Sequence, residues 1–115
     1  MSHPDQPVTL TPTHPDAVRR LDRLADRLRV VGPRLAAREG TEAIEMLRAI
    51  RAGLQELADL AADADHRPRR VVPELAGHAL ADQALVLGHD LLTEERSDLF
   101  RAGAVAAIGR LARLI

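Results

Sequence analysis

The stretch Leu21-Asp22-Arg23-Leu24-Ala25-Asp26-Arg27-Leu28-Arg29-Val30-Val31-Gly32-Pro33-Arg34-Leu35 decides the fold. Its residues Leu21, Leu24, Leu28, Val31 and Leu35 step by 3, 4, 3 and 4, and mostly Asp and Arg fill the gaps. That spacing draws one apolar line along a helix and leaves the rest of its surface charged. A helix so built must bury its line against other helices, as in a coiled-coil seam. Gly32-Pro33 interrupts the line without shifting its phase, so one kinked helix is expected over about 16–39, ended by Gly40.

Upstream, Thr13 stands three residues before Asp16 and Pro15 falls in the first turn, a helix-start pattern. Residues 1–15 hold Pro4, Pro7, Pro12 and Pro15 and few apolar side chains, which reads as a flexible or extended arm before a 16–115 bundle. The arm has neither the basic nor the apolar region of a secretory signal. Downstream, Thr41 is the expected cap of a second helix whose seam is Ile44, Leu47, Ile50, Leu54, Leu57 and Ala61. His66 to Arg70 reads as a loop. Pro73 then suits a first helical position, giving a third helix over about 74–92. Thr93 with Glu94 and Glu95 starts a fourth, with Phe100, Ala104, Ala107, Leu111 and Leu114 on its seam and Ile108 alongside. Four helices joined by short loops predict an all-α, up-down-up-down antiparallel four-helix bundle.

The composition prunes the chemistry. Of 115 residues none is Cys, Lys, Asn, Trp or Tyr, and Phe100 is the one aromatic. That excludes disulfides, thiolate nucleophiles, cysteine zinc sites, Schiff bases and P-loops. One aromatic cannot stack single-stranded nucleic acid. The bias toward Ala, Arg, Gly, Pro, Leu and Val also matches a GC-rich bacterial genome. No apolar run reaches the ~18 residues of a membrane span, and a cytoplasmic protein is expected.

The formal net charge of −1 conceals a pattern. Residues 16–40 carry +3, 41–66 carry −4, 67–72 carry +3, 73–95 carry −5 and 96–115 carry +3. If helices one and four were neighbours, and two and three, the molecule would have one basic and one acidic face. Such a surface suits another protein or a second copy of the chain. Nucleic acid is not an expected partner, because no basic run or helix-turn-helix spacing is present.

Helix three carries the candidate site. At 100° per residue, Ala76, Leu80, Ala84, Leu87 and Leu91 form its core stripe. The other side carries His78, Asp82 and His89, flanked by Leu75, Leu85, Val86 and Leu92. A helix apolar on two sides touches two things. The leading expectation is therefore a non-enzymatic bundle that associates with itself or another protein through Leu75, Leu85, Val86, His89 and Leu92, without cofactor or small-molecule substrate. His78 and Asp82, one turn apart, are the candidates for metal ligands. His89 lies ~10 Å beyond Asp82 along the axis, too far to join them. Ser97 reads as a helix-surface residue rather than a nucleophile.

His78-Ala79-Leu80 followed by Leu87-Gly88 resembles the motif of histidine phosphotransfer domains over about eleven residues. Those domains are four-helix bundles with an exposed phospho-accepting histidine, so the resemblance implies His78 as acceptor. Ala81 and Asp82 stand where that family has Lys and Gly. A carboxylate one turn from a phosphohistidine repels its added charge.

Overall fold

The first helix begins where its prolines allow. In a computed structural model describing residues 14–93 and 95–115, α1 runs from His14 to Ala37, with Pro15 in the first turn. The arm expected over 1–15 otherwise lies outside the described residues. Helix α1 continues through Pro33, so the Gly32-Pro33 pair does not break it. Its seam is buried as the spacing requires, with Leu21, Leu24, Leu28 and Leu35 at most 9% exposed. After α1 the chain turns at Gly40, whose φ of 118° is open to glycine alone at little cost. Gly40, not Thr41, is therefore the residue before α2, which spans Thr41–Ala64.

Helix α2 buries Ile50, Leu54, Leu57 and Ala61. At its start Ala43 takes the core position expected for Ile44, which is 54% exposed. Two further helices, α3 at Leu80–Leu91 and α4 at Asp98–Leu114, complete an all-α four-helix bundle among the described residues. Helix α4 starts five residues after Thr93, because Ser97 is its cap and the hydroxyl accepts a bond from Phe100 N–H at 3.5 Å. Ala104, Ala107, Ile108 and Leu111 fill the core from α4, whereas Phe100 is half-buried and Leu114 lies at the rim. No polar or charged side chain is buried among the described residues, so the fold rests on apolar burial, about 1.5–3 kcal/mol for each buried Leu or Ile.

The third helix is shorter than its sequence suggests. Residues 66–76 form an extended strap that returns along α2 to a 3-10 turn at Gly77–Ala79, from which α3 proceeds. Helix α2 ends in a Schellman turn. Arg67 N–H bonds Ala62 C=O at 2.8 Å, His66 N–H bonds Asp63 C=O at 3.2 Å, and His66 sits at φ 54° where glycine is usual. The strap is then tied down by long-range bonds. Gln55 donates to the Arg70 carbonyl and accepts from Val72 N–H, both at 2.8 Å, much as a neighbouring strand would. Arg51 donates to the Leu75 carbonyl and Gln83 to the Pro73 carbonyl, each at 3.0 Å. These bonds hold Pro73 to Ala76 out of the helix expected to begin there.

The strap also sets the helix directions. Gly32 meets Gly77 and Leu21 meets Gly88, so α3 runs antiparallel to α1. Gly53 meets Leu111 and Leu60 meets Gly103, so α4 runs antiparallel to α2. The chain goes up and down through α1 and α2, is carried back by the strap, and goes down and up through α3 and α4. Alternation holds within each hairpin and is reset between them, because a 15-residue connection can cross the length of a helix where a short loop cannot.

Packing follows: α1 lies closest to α3, and α2 to α4. Helices α1 and α4, and α2 and α3, are also in contact, but the closest contacts join opposite charges, where the expectation of one basic and one acidic face set like-charged helices side by side. The basic first helix packs on the acidic third, the acidic second on the basic fourth, and Arg110 pairs across the latter contact with Glu56.

Candidate functional site

The strap and α3 enclose a groove. Pro68 and Pro73 keep the strap extended, and the prolines and Val71-Val72 give it an apolar character. Along the upper half, Val72, Pro73 and Leu75 face Ala79, Asp82, Val86 and Leu87 around a hollow of about 420 Å³. Along the lower half, Ala58, Ala61 and Ala62 of α2 floor a hollow of about 360 Å³, reached between Arg67, Pro68, Arg70 and Asp90. Val86 and Leu87 line both. Alanines make the floor, so an inserted side chain can approach the α2 backbone.

Of the residues expected to form an interface, Leu75 and Val86 are brought together on this groove, at 45% and 71% exposure. Leu85 is half-buried against the core, and Leu92, at 1% exposure, belongs to the core and not to any open face. His89 turns toward α1, its Nε2 3.7 Å from the Asp22 carboxylate. Leu75 is on the strap rather than on the third helix. The expected core stripe of that helix is buried at Leu80, Ala84 and Leu91, with Leu87 half-buried and Ala76 exposed on the strap.

His78 is exposed in the 3-10 turn and Asp82 is exposed in the first turn of α3. No three His, Cys, Asp or Glu side chains converge to hold a metal ion among the described residues. Gly88 has a packing role: a Cβ there would lie 2.6 Å from Leu21 Cδ2.

Sequence reasoning missed the strap wall, Val72 and Pro73, and the α2 residues that hold it. The available signal was an apolar pair between prolines, which favours extended chain, facing a glutamine at position 55 beside the Leu54 and Leu57 seam.

The groove ends in an ionic clasp. Arg96, just before α4, pairs with Asp65 at the end of α2 and, at 2.9 Å, with Asp90 of α3. Its Nε also donates to the Asp90 carbonyl at 3.1 Å. Hydrogen bonds from Arg96, and then from Arg67, hold the Asp65 carboxyl down to about 2. Asp63 is lowered as well, chiefly by the hydrogen bond from Arg69, which reaches its carboxylate at 2.7 and 3.0 Å. These groups are spent on each other and fix the strap, so they are not free for chemistry.

Around the groove other charges are unspent. Asp82 and the Arg70 side chain on the groove, and Glu74 and Arg48 on the adjoining hollow that shares Val72 and Pro73, have no ion-pair partner among the described residues. No helix is long and apolar enough to cross a membrane among the described residues. Compared with known protein families, curated proteins and solved structures, the chain matches none.

Proposed function

We propose that this chain is a non-enzymatic helical bundle that acts through protein–protein association, and that it pairs with a second copy through the strap–α3 face. The observation that carries this is the groove in which exposed Leu75 and Val86 stand beside Val72, Pro73 and Leu87. Charges of both signs without an ion-pair partner stand on it or beside it: Asp82 and Arg70 line the groove, and Glu74 and Arg48 line the adjoining hollow that shares Val72 and Pro73. A two-fold contact sets the same patch against itself, so acids of one copy meet bases of the other while the apolar centres merge. In this reading the protein works in the cytoplasm and uses neither a cofactor nor a small-molecule substrate.

The test is mass in solution. The parent chain should scatter light as a species of about twice 12.5 kDa, and a Leu75→Glu, Val86→Glu double variant as one of about 12.5 kDa. Both positions are exposed, so the variant should keep its helical circular dichroism. An unchanged mass in the folded variant, or a parent that stays monomeric at high concentration, overturns the reading.

A further inference from the structure

On α1 the arginines divide into two sets. Arg19 and Arg29 pair with Asp16 and Asp26, three residues before each. Arg20, Arg23, Arg27 and Arg34, with Arg38 just past the helix end, are all exposed, and their side chains have no partner among the described residues. Positions 20, 23, 27 and 34 repeat at helical spacing, so these four guanidinium groups share one stripe about 21 Å long, with Arg38 just beyond its end. Midway, where the spacing calls for residue 30 or 31, the stripe holds Val30, 50% exposed, and half-buried Val31. The stripe flanks the seam on the side away from α3, which Asp22 faces through His89. Helix α4 also borders α1 and shows solvent Leu99, at 78% exposure, and Ala106, while a Cβ on Gly109 would meet only Arg113 of its own helix, at 3.7 Å.

We propose that this stripe of α1 is a second docking surface, for an acidic amphipathic helix of another protein. Like charges along one line repel one another, and carboxylates at matching 3/4 spacing relieve that repulsion, each guanidinium fork donating to one carboxylate. The valine centre gives the partner an apolar anchor between charged ends, the arrangement of an interface with a dry middle and a polar rim. Duplex nucleic acid fits less well. The row is one residue wide, Asp22 and Asp26 lie on its far flank, and Val30 interrupts it where a phosphate would need a cation. The surface is separate from the strap–α3 groove, so the two can be tested independently.

The probe is a 20-residue designed helical peptide, fluorescently labelled, with glutamates three and four apart flanking a central leucine pair, followed by anisotropy. The parent protein should bind it at 50 mM salt and more weakly at 300 mM. The Arg20→Gln, Arg23→Gln, Arg27→Gln triple variant should weaken binding about tenfold, the sum of three exposed pairs. Val30→Asp should weaken it as well. A peptide with glutamine for glutamate should not bind, and the Leu75→Glu, Val86→Glu variant should bind like the parent. All changes are at exposed positions, and unchanged circular dichroism checks the fold. Absence of binding by the parent, equal affinity in the folded triple variant, or tighter binding of a 20-base-pair DNA duplex overturns the proposal.

Discussion

Two close crossings of this bundle, α1 on the 3-10 turn ahead of α3 and α2 on α4, are joined in different ways. Where α1 meets the 3-10 turn ahead of α3, backbone lies on backbone: Gly32 and Gly77 face each other, and a Cβ on either would enter the other's peptide group. Where α2 meets α4, glycine lies on side chain: Gly53 receives Leu111, and Gly103 sits beside Leu60. A carbonyl held in a helix cannot step aside, whereas a leucine can change rotamer if there is room. The first contact is therefore a fixed point of the fold and the second an adjustable one.

The largest effect follows from the fixed point. Gly32→Ala should destabilise the protein by about 3 kcal/mol or more in urea titration, because the added methyl must separate two backbones. A loss below about 1 kcal/mol would show that the crossing can slide and would erase the distinction. In the adjustable pair, Gly53→Ala would put a methyl 2.7 Å from Leu111 Cγ, and Leu111 is 1% exposed with little space to move into. A loss of about 1–2 kcal/mol is expected, the packing cost being partly offset by the helix preference of alanine over glycine. Gly103→Ala meets only the far end of half-buried Leu60, at 3.3 Å. There the propensity gain should win, leaving stability unchanged or raised by up to about 1 kcal/mol. If Gly53 and Gly103 responded alike, side-chain freedom would not be what governs this contact.

The smallest effect concerns the clasp that ties both pairs at one end. The Asp65 carboxyl is held below its ordinary range by Arg96 and Arg67, so its pairing stabilises the fold above the unfolded value near 4. That contribution is lost as pH falls through about 4 toward 2. Arg96→Met should accordingly lower the thermal midpoint slightly at pH 7 and leave it nearly unchanged at pH 2. An equal drop at both pH values would mean that Arg96 acts through its hydrogen bond to the Asp90 carbonyl rather than through its carboxylate partners.

The seams were readable because helical periodicity is local. Leu21, Leu24, Leu28 and Leu35, like Ile50, Leu54 and Leu57, are buried where a 3/4 step puts them. Gly40 was readable as a stop because its positive φ excludes other residues. The candidate face was half readable. Val86 and Leu75 are exposed and adjacent as an apolar second side would require, yet Leu92, one residue past the end of α3, turned inward. Wheel arithmetic assumes a regular helix, and the phase it assigns fails where the helix ends.

By itself, then, the sequence determined four apolar seams and a chemistry limited to Arg, Asp, Glu, His and a few hydroxyls. Only the tertiary structure decided how the helices pair. The deciding contacts join residues far apart in the chain: Gln55 with Arg70 and Val72, Arg51 with Leu75, Gly32 with Gly77. Propensity made Pro73 a good helix start, but two side chains capture the carbonyls of Pro73 and Leu75 and keep the segment extended. That strap reverses the second hairpin, sets basic α1 on acidic α3, and opens the groove on which the proposed pairing rests. A 3/4 repeat shows which side of each helix is buried; it does not show against which neighbour.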